Sequence, residues 1–309
     1  MTTTTPLRCA NSFMVQRATS EVVLLDTGAY PGHSDFLNQT WTWNGTDWTR
    51  VGTTLIDANG ALPGRLDMVG AYDGYNVMLF GGRDAAGLNG NGLNDTWTWN
   101  GTVWALKAPA TKPFGRYLAE ACRSTTTALN VTMFGGYGGY SKLVNETWRW
   151  DGNLQTWTLL APTTKPSARV GHCMAGGPSF LVMFGGNNSA GECTNDTWHF
   201  DGTNWTLQNP ATKPPCRTGA SMAYDQTNNL WVMFGGMNEY YRLPETWTYD
   251  GTTWTQRTPA ATPPGLTYSQ MCWDTQTGGR VLLYGGMSAT DNYASNKTWS
   301  WNGTTWALL

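Results

Sequence analysis

The sequence predicts an all-β protein made of six repeated four-stranded units, and three observations lead to this prediction. Thr-Trp recurs six times along the 309 residues, with spacings of 56, 51, 50, 49 and 52 residues between the tryptophans. A Gly-Gly pair ends an apolar run in five copies, and Asn-Gly or Asp-Gly follows the Thr-Trp strand in all six. A four-stranded repeat of about 50 residues is typical of one blade of a β-propeller. We therefore predict a six-bladed β-propeller of four-stranded antiparallel blades.

Each unit is divided into strands A to D, and the fifth copy shows strands A and B most clearly. Strand A, within residues 217–224, is rich in small residues, which suits the crowded axis of a propeller. Strand B, residues 230–236, is a continuous apolar run that ends in Gly-Gly, as expected of a strand buried on both faces. The first copy is less regular, because residues 25–28 read Leu-Asp-Thr-Gly where the glycine pair is expected.

Strands C and D carry most of the tryptophans. Strand C reads Thr-Trp-x-aromatic, and its two rings share one face because side chains alternate along a strand. The Asn-Gly or Asp-Gly after it predicts a type I′ hairpin turn into strand D, which begins with another Trp. These repeat positions hold 16 of the 18 Trp. We expect these rings to pack between blades rather than to bind a ligand.

The register of the repeats predicts one domain over residues 1–309. No strand is left over at either end of the chain to complete a blade at the other end. We therefore expect each blade to come from contiguous chain and blade 6 to seal the ring by packing on blade 1. The expected blade limits are residues 6–55, 63–109, 113–162, 166–210, 214–260 and 263–309.

Arginine and acidic residues recur together in the repeat. An Arg leads strand A at positions 8, 65, 116, 169 and 217, and an acid precedes Thr-Trp in blades 2 to 5. Blade 6 lacks both, with Leu266 and Lys297 in their places. A buried charge without its partner is costly, so joint loss indicates pairing. The expected structural ion pairs are Arg65 with Asp95, Arg116 with Glu146, Arg169 with Asp196, and Arg217 with Glu245.

These motifs together resemble the kelch repeat, and the resemblance covers essentially the whole chain. The shared features are the strand-B Gly-Gly, the strand-C aromatic, the strand-D Trp and the Arg before strand A. The resemblance implies a kelch-type propeller. The strand-C aromatic and the strand-D Trp are five residues apart in five copies, which is tighter than in most eukaryotic kelch repeats. This spacing resembles bacterial and phage kelch-like propellers.

Composition excludes several classes of function. The net charge is −2 and only 13% of residues are charged, so we expect no nucleic-acid partner. No apolar stretch approaches the roughly 20 residues needed to cross a bilayer, and the first eight residues contain no apolar segment. We therefore expect no membrane insertion and no signal peptide, and the sequence leaves localisation open. The six Cys have no metal-type spacing, so we expect mostly buried thiols, with Cys193 and Cys216 the best-placed pair to bridge.

Enzyme sites known in kelch propellers do not fit the chain. The three His (His33, His172 and His199) fall at unrelated repeat positions, unlike the copper ligands of galactose oxidase. His199 also lies one residue from where the iron motif of plant specifier proteins requires a His, and a one-residue slip turns a strand side chain to the other face. We therefore expect no catalytic residues, no metal and no cofactor. A metal-free enzyme at the channel mouth, resembling the kelch-type sialic-acid mutarotases, stays open as the alternative function.

The connections between strands B and C are long and differ in every blade, and variable loops on a regular scaffold commonly carry binding. Their Tyr and Asn content is typical of adaptable binding surfaces. We expect a non-enzymatic recognition module that binds a protein or a cell-surface glycan and belongs to a larger assembly. The most specific form of this hypothesis is a phage virion or tail component. The expected contact residues are Tyr137, Tyr140, Asn187, Glu239, Tyr240, Tyr241, Asn292 and Tyr293.

Overall fold

The computed structural model describes residues 5–6, 8–10, 12–17, 21–26, 39–51, 56–57, 60–62, 64–83, 92–123, 130–139, 142–290 and 293–309. In these residues the chain forms six four-stranded antiparallel sheets, and each sheet takes its strands from one contiguous stretch of chain. This part of the chain includes the 3-10 turn Gln276–Gly278, and no helix in it is long and apolar enough to span a membrane. The predicted fold class, a six-bladed β-propeller with contiguous blades, is confirmed.

The six A strands surround the central axis. Each A strand contacts the A strands of the two neighbouring blades, and blades 6 and 1 are in contact in the same way as the other neighbours. The ring is therefore closed by packing of the last blade on the first. The A strands are Phe13–Arg17, Val69–Tyr72, Glu120–Arg123, Cys173–Gly176, Thr218–Asp225 and Gln270–Asp274.

Strands B, C and D follow outwards in each blade, paired antiparallel in chain order. The B strands are Glu21–Asp26, Val77–Phe80, Asn130–Phe134, Leu181–Phe184, Leu230–Met237 and Arg280–Tyr284. The C strands are Gln39–Trp43, Thr96–Trp99, Thr147–Asp151, Thr197–Phe200, Thr246–Tyr249 and Thr298–Trp301. The D strands are Trp48–Arg50, Trp104–Lys107, Thr156–Leu160, Trp205–Gln208, Trp254–Arg257 and Trp306–Leu308. Short ladders join Ile56–Asp57 to Gly60–Ala61, Tyr137–Gly138 to Lys142–Leu143, Arg169–Val170 to Asn187–Asn188, and Leu266–Thr267 to Met287–Ser288.

The hydrophobic core is divided into layers between blades. Each of the six interfaces has its own cluster of buried side chains, drawn from the facing sheets of two neighbours. The cluster between blades 6 and 1 joins Cys272, Leu282 and Tyr284 to Trp43 and Trp48. Since no single layer exceeds ten or so buried residues, the chain reaches its length by repeating small cores rather than by enlarging one.

The threonine of the Thr-Trp motif links neighbouring blades, a role that the sequence analysis did not identify. At each interface the indole Nε1 of a strand-D Trp donates a 2.9 Å hydrogen bond to the Thr Oγ1 on strand C of the preceding blade. Both groups are buried, so each bond satisfies a donor that water cannot reach. The pairs are Trp104 with Thr40, Trp157 with Thr96, Trp205 with Thr147, Trp254 with Thr197, Trp306 with Thr246 and, closing the ring, Trp48 with Thr298.

The turn between strands C and D is at the predicted place, but the type I′ prediction is wrong. In blade 1 the connection has four residues, and of the Asn-Gly pair only Gly45 has a positive φ, 102°. The Oδ1 atom of Asn44 accepts hydrogen bonds from the amides of Thr46 and Asp47, at 3.0 and 2.8 Å. The Asn44 side chain therefore closes the turn by hydrogen bonding, and Asn44 does not adopt the left-handed backbone that a type I′ turn requires.

The start of strand A in blade 1 is shifted by one residue from the prediction. The amide of Gly82 donates to the carbonyl of Arg116 in the next blade, at 2.8 Å. At the closing interface the amide of Gly286 makes the same 2.8 Å bond to Cys9, not to Arg8. Cys9 is fully buried and Arg8 is exposed. Arg8 is therefore not the counterpart of the other strand-A arginines; the position belongs to Cys9.

Candidate functional site

The two faces of the propeller differ in chemistry. The loop face is defined as the face bearing the B–C loops and the D–A connections, and the turn face as the one bearing the A–B and C–D turns. In blades 2 to 5 the loop face contains an ion pair between the Arg before strand A and the acid before strand C, with N–O distances of 2.6 to 2.7 Å. The pairs are Arg65–Asp95, Arg116–Glu146, Arg169–Asp196 and Arg217–Glu245.

Each pair is extended into a triad by the strand-C tryptophan. In blade 4 both Nη atoms of Arg169 donate to the two Asp196 oxygens at 2.7 Å, and the Trp198 Nε1 donates to the same carboxylate at 2.6 Å. Arg169 also donates to the carbonyl of Gly185, at 2.9 Å. The guanidinium is buried and its donors are engaged within the protein. These contacts favour a structural role for the arginines over ligand binding.

The triad is missing from the two blades at the closing interface. Blade 6 has Leu266 and Lys297 at the two positions, and blade 1 has Cys9 and Gln39. Cys9 and Leu266 are both buried. An arginine without its carboxylate would leave a buried charge, and both blades avoid this by losing the two partners together.

The pKa of the carboxylate is lowered in three of the four triads. Burial alone would raise the pKa of Asp196, but the hydrogen bonds and charge of Arg169 outweigh it, so its pKa lies below the ordinary value for Asp. The same balance lowers the pKa of Asp95 and of Glu146. Protonation of these groups therefore opposes the folded state, which gives the pH dependence developed below.

Among the described residues, two of the expected contact residues form the most exposed aromatic pair of the loop face. The side chain of Asn238 accepts hydrogen bonds from the amides of Tyr240 and Tyr241, at 2.9 and 3.0 Å, and so holds a compact turn. Tyr240 is 81% exposed and Tyr241 is 62% exposed. Glu239, between them and Asn238, is also exposed. We call residues 238–241 the Tyr240 turn.

The remaining expected contact residues fall into three groups. In blade 6, Tyr293 is 53% exposed, and its carbonyl accepts a hydrogen bond from the Ser288 amide at 3.0 Å. Tyr137 is part-buried because its ring stacks on Tyr117, with centroids 5.1 Å apart. Asn187 is part-buried in the ladder beside strand A of its own blade. Tyr140 and Asn292 lie outside the described residues.

Sequence reasoning missed one exposed aromatic on this face. Phe114, in the D–A connection between blades 2 and 3, is 75% exposed. The sequence does contain a signal for Phe114, because the residues at the same position after Lys-Pro in blades 4 and 5 are Ser167 and Pro215. An aromatic ring in place of a small residue at a loop position has no packing role here, and it adds to the accessible aromatic surface of the loop face.

A disulfide between Cys193 and Cys216 ties two loop-face segments together, as the sequence analysis favoured. It joins the B–C loop of blade 4 to the residue directly before Arg217, with Cα atoms 5.5 Å apart. The other four thiols are free; Cys9, Cys173 and Cys272 are buried and Cys122 is part-buried. The disulfide therefore fixes the B–C loop of blade 4 to the start of the next blade.

The central channel is narrowed near the loop face by a ring of backbone that we call the collar. The collar residue of each blade lies two positions after the residue at the strand-A Arg position. In blades 2 to 6 this residue has a left-handed φ between 54 and 66°. Amides in this ring donate to the preceding blade, from Leu118 to Asp67, from Gly219 to Gly171 and from Tyr268 to Gly219, at 2.7 to 2.9 Å. Left-handed backbone costs about 1 kcal/mol or more for a non-glycine residue, and these bonds offset that cost. The throat inside the collar has a volume of only about 40 Å³.

On the side of the collar toward the turn face, the channel widens into a cavity of about 490 Å³. All six A strands line it, beginning one or two residues past the collar. Its lining extends to Gln226 and Thr275, which follow the ends of two A strands and are exposed at the turn face. The cavity is thus open to the turn face, and its volume lies within the usual range for small-molecule sites, about 300–1,000 Å³.

Titratable groups near the axis do not form a metal centre in the described residues, where no group of three or more His, Cys, Asp or Glu is placed to bind an ion. His172 is buried between blades 3 and 4, and burial lowers its pKa to about 3. His199 stacks on Phe180 with centroids 4.0 Å apart, and its Nε2 is 3.1 Å from the Tyr249 hydroxyl. His33 lies outside the described residues. Glu120 lines the cavity, and its burial raises its pKa to about 8.

Comparison with known proteins agrees with this architecture. A family model of the KLHDC2/KLHL20/DRC7 kelch-repeats domain matches residues 121–307, more than half of the chain. Among solved structures, that of YjhT is similar, with a TM-score of 0.75 and 14% identity, over 99% of this chain and 98% of that one. At this identity the likeness shows the fold alone. No curated protein sequence matches the chain. The six blades and the family match together establish that the chain belongs to the kelch-repeat family.

Proposed function

We propose that the chain is a non-enzymatic recognition module that binds a protein or a glycan through its loop face. The observation that carries this proposal is the Tyr240 turn, which presents two accessible rings on an ordered backbone. Kelch domains generally mediate protein interactions, which agrees with such a role. Tyr293 and Phe114 add exposed aromatic surface on the same face.

Tyrosine suits recognition for physical reasons. Its ring buries a large apolar area on contact, while its hydroxyl can donate or accept a hydrogen bond. It has few rotatable bonds, so it loses little conformational entropy when it becomes ordered. The Asn238 side chain fixes the turn before a ligand arrives, which reduces the ordering cost of binding further. The triads and the Cys193–Cys216 disulfide give this face a rigid base.

A more specific proposal is that the module belongs to a phage virion or tail and recognises a host surface. The low charge and the tight kelch-like spacing support it. The disulfide supports it as well, because disulfides persist in oxidising surroundings outside cells. A particle-borne recognition domain would meet its ligand in such surroundings.

The alternative function, a small-molecule enzyme of the sialic-acid mutarotase type at the channel mouth, has less support. On the loop face the collar reduces the channel to a throat of about 40 Å³, room for a water or two but not for a sugar. An enzyme of this type would have to work in the cavity on the other side of the collar.

A glycan array and a pull-down from bacterial cell-surface extract, both with the purified protein, test the proposal. The key variant is Tyr240→Ser/Tyr241→Ser. Leu159→Ser/Leu207→Ser is the matched control, because these leucines are 52% and 55% exposed but lie on outer D strands. Loss of an aromatic anchor costs about 2 kcal/mol, so we expect the tyrosine variant to bind at least about tenfold more weakly and the control to bind normally. A ligand that binds both variants equally, or no ligand in either screen, would contradict the proposal.

A further inference from the structure

The central cavity has two chemically different ends. At its inner end, under the collar, Glu120 and Gln270 line both the cavity and the throat. At its outer end, toward the turn face, Arg123 ends the same A strand on which Glu120 begins. Neither end is explained by recognition on the loop face, since the collar separates the two.

Glu120 is out of place for a structural residue. Its backbone pairs with Phe134, but its carboxyl makes no hydrogen bond or ion pair with any other residue in the described part of the chain. Its pKa of about 8 means that the carboxyl is protonated at neutral pH, so it can donate one hydrogen bond and accept others. An unpartnered carboxyl in a narrow channel costs stability, which favours a binding role. At the same position the other five blades have Phe13, Val69, Cys173, Ser221 and Gln270.

Arg123 provides a positive charge at the outer end. Its Nε is buried and has no hydrogen-bond partner among the described residues. The guanidinium carbon lies 5.5 Å from the ring centroid of Tyr72, which orients the group without neutralising it. A planar guanidinium with free donors is suited to bind a carboxylate in two-point fashion.

The spacing of these two groups sets the length of a ligand. Glu120 and Arg123 are three residues apart on one strand, so their Cα atoms are about 10 Å apart along it, and their side chains leave opposite faces of the strand, Glu120 toward blade 4 and Arg123 toward blade 2. An inorganic anion at Arg123 could not reach Glu120. At the strand position between them, four other blades have methionines that line the cavity but pack mainly between blades, each no more than 8% exposed. These are Met14, Met174, Met222 and Met271.

We propose that this cavity binds a small organic acid entering from the turn face, with its carboxylate on Arg123 and a hydroxyl or amide group at its far end on Glu120. The A strands that line the cavity between the two polar ends contact the carbon atoms of the ligand. The site is separate from the loop-face recognition surface, so either can be present without the other.

The test is isothermal titration of the full-length protein at neutral pH with 6-hydroxyhexanoate, which has a carboxylate and a hydroxyl at opposite ends of a carbon chain. Hexanoate lacks the hydroxyl, 1,6-hexanediol lacks the carboxylate, and acetate is too short to span the two groups. A hydrogen bond to a charged group contributes about 1.5–3 kcal/mol, so we expect 6-hydroxyhexanoate to bind about tenfold or more tightly than the diol and acetate. Hexanoate should be intermediate. No binding of 6-hydroxyhexanoate, or equal binding of all four compounds, would overturn the proposal.

Variants then assign the two ends, with thermal melting to show that each is folded. Arg123→Gln should lose about tenfold or more in affinity, because a charged partner is removed. Glu120→Gln should keep most of the affinity, because it also donates and accepts, whereas Glu120→Leu should lose the preference for the hydroxyl. Arg50→Gln, on the outer strand of blade 1, is the control and should bind normally. Unchanged affinity in Arg123→Gln, or equal loss in Arg50→Gln, would refute the assignment, and the compound series on the wild type tests the site even where a variant does not fold.

Discussion

Replacement of Asp196 by Asn tests the triads. Arg169 is buried and its two Nη atoms both lie 2.7 Å from the Asp196 carboxylate, which also accepts from Trp198 at 2.6 Å. Asn has nearly the same shape but no charge, so the guanidinium keeps its position and loses its counter-charge. Removing one partner of a buried pair costs about 3–5 kcal/mol. The Asp196 side chain is 26% exposed, so water offsets part of that cost, and we expect a loss of about 2–3 kcal/mol in the free energy of unfolding.

The assay is guanidinium unfolding of wild type and variants, followed by tryptophan fluorescence. The matched control is Arg169→Leu/Asp196→Lys, which gives blade 4 the residues that blade 6 has naturally at Leu266 and Lys297. Because this double variant leaves no buried charge, it should be less destabilised than Asp196→Asn. The reasoning is refuted if Asp196→Asn stays within about 0.5 kcal/mol of wild type, the usual range of surface substitutions. It is also refuted if the double variant is the less stable of the two.

Three further predictions concern stability. Folding lowers the pKa values of Asp95, Glu146 and Asp196, so their contribution to stability is complete above the ordinary unfolded pKa near 4 and is lost as pH falls through the folded values; unfolding free energies that are equal at pH 5 and pH 3 would contradict this. Thr298→Val leaves the buried indole of Trp48 without an acceptor and should cost about 1–3 kcal/mol, with Thr298→Ser close to wild type in thermal melting; equal melting of the two variants would exclude a role for the hydroxyl. Cys193→Ser/Cys216→Ser opens a loop of 23 residues and should cost about 3 kcal/mol in chemical unfolding, whereas an unchanged midpoint would show that the bridge does not constrain the chain.

The sequence was sufficient for the fold because local signals repeat in register. Strand alternation, buried B strands and turn residues recur six times, and each copy supports the assignment of the others. The sequence signals were less informative where a side chain, rather than a left-handed backbone, closes a turn. Asn44 closes its turn with its own amide oxygen, so Asn-Gly correctly marked a hairpin but did not give its type. Blade 1 lacks the Gly-Gly pair. Without that marker, sequence analysis assigns Arg8 to the position that Cys9 occupies in the structure.

The candidate sites were less accessible to sequence reasoning. Exposure of Tyr240 and Tyr241 could be predicted because they lie in an irregular loop on a regular scaffold. The collar could not be predicted from the sequence. Its left-handed residues include Leu118 and Tyr268, which adopt that conformation only because their amides donate hydrogen bonds to the preceding blade. Glu120 lies on a strand whose counterparts carry apolar or small polar residues. The position of Glu120 in the cavity depends on six A strands that converge on one axis, which no local sequence pattern indicates.

Site-specific photo-cross-linking tests the central claim, recognition through the loop face, most directly. Benzoylphenylalanine is placed at Tyr241 or Tyr293, and at Leu207 on the outer strand of blade 4 as the control, and each protein is irradiated with bacterial cell-surface extract. The account predicts one common adduct from Tyr241 and Tyr293 and none from Leu207. Adducts formed equally from Leu207, or from Leu207 alone, would contradict it.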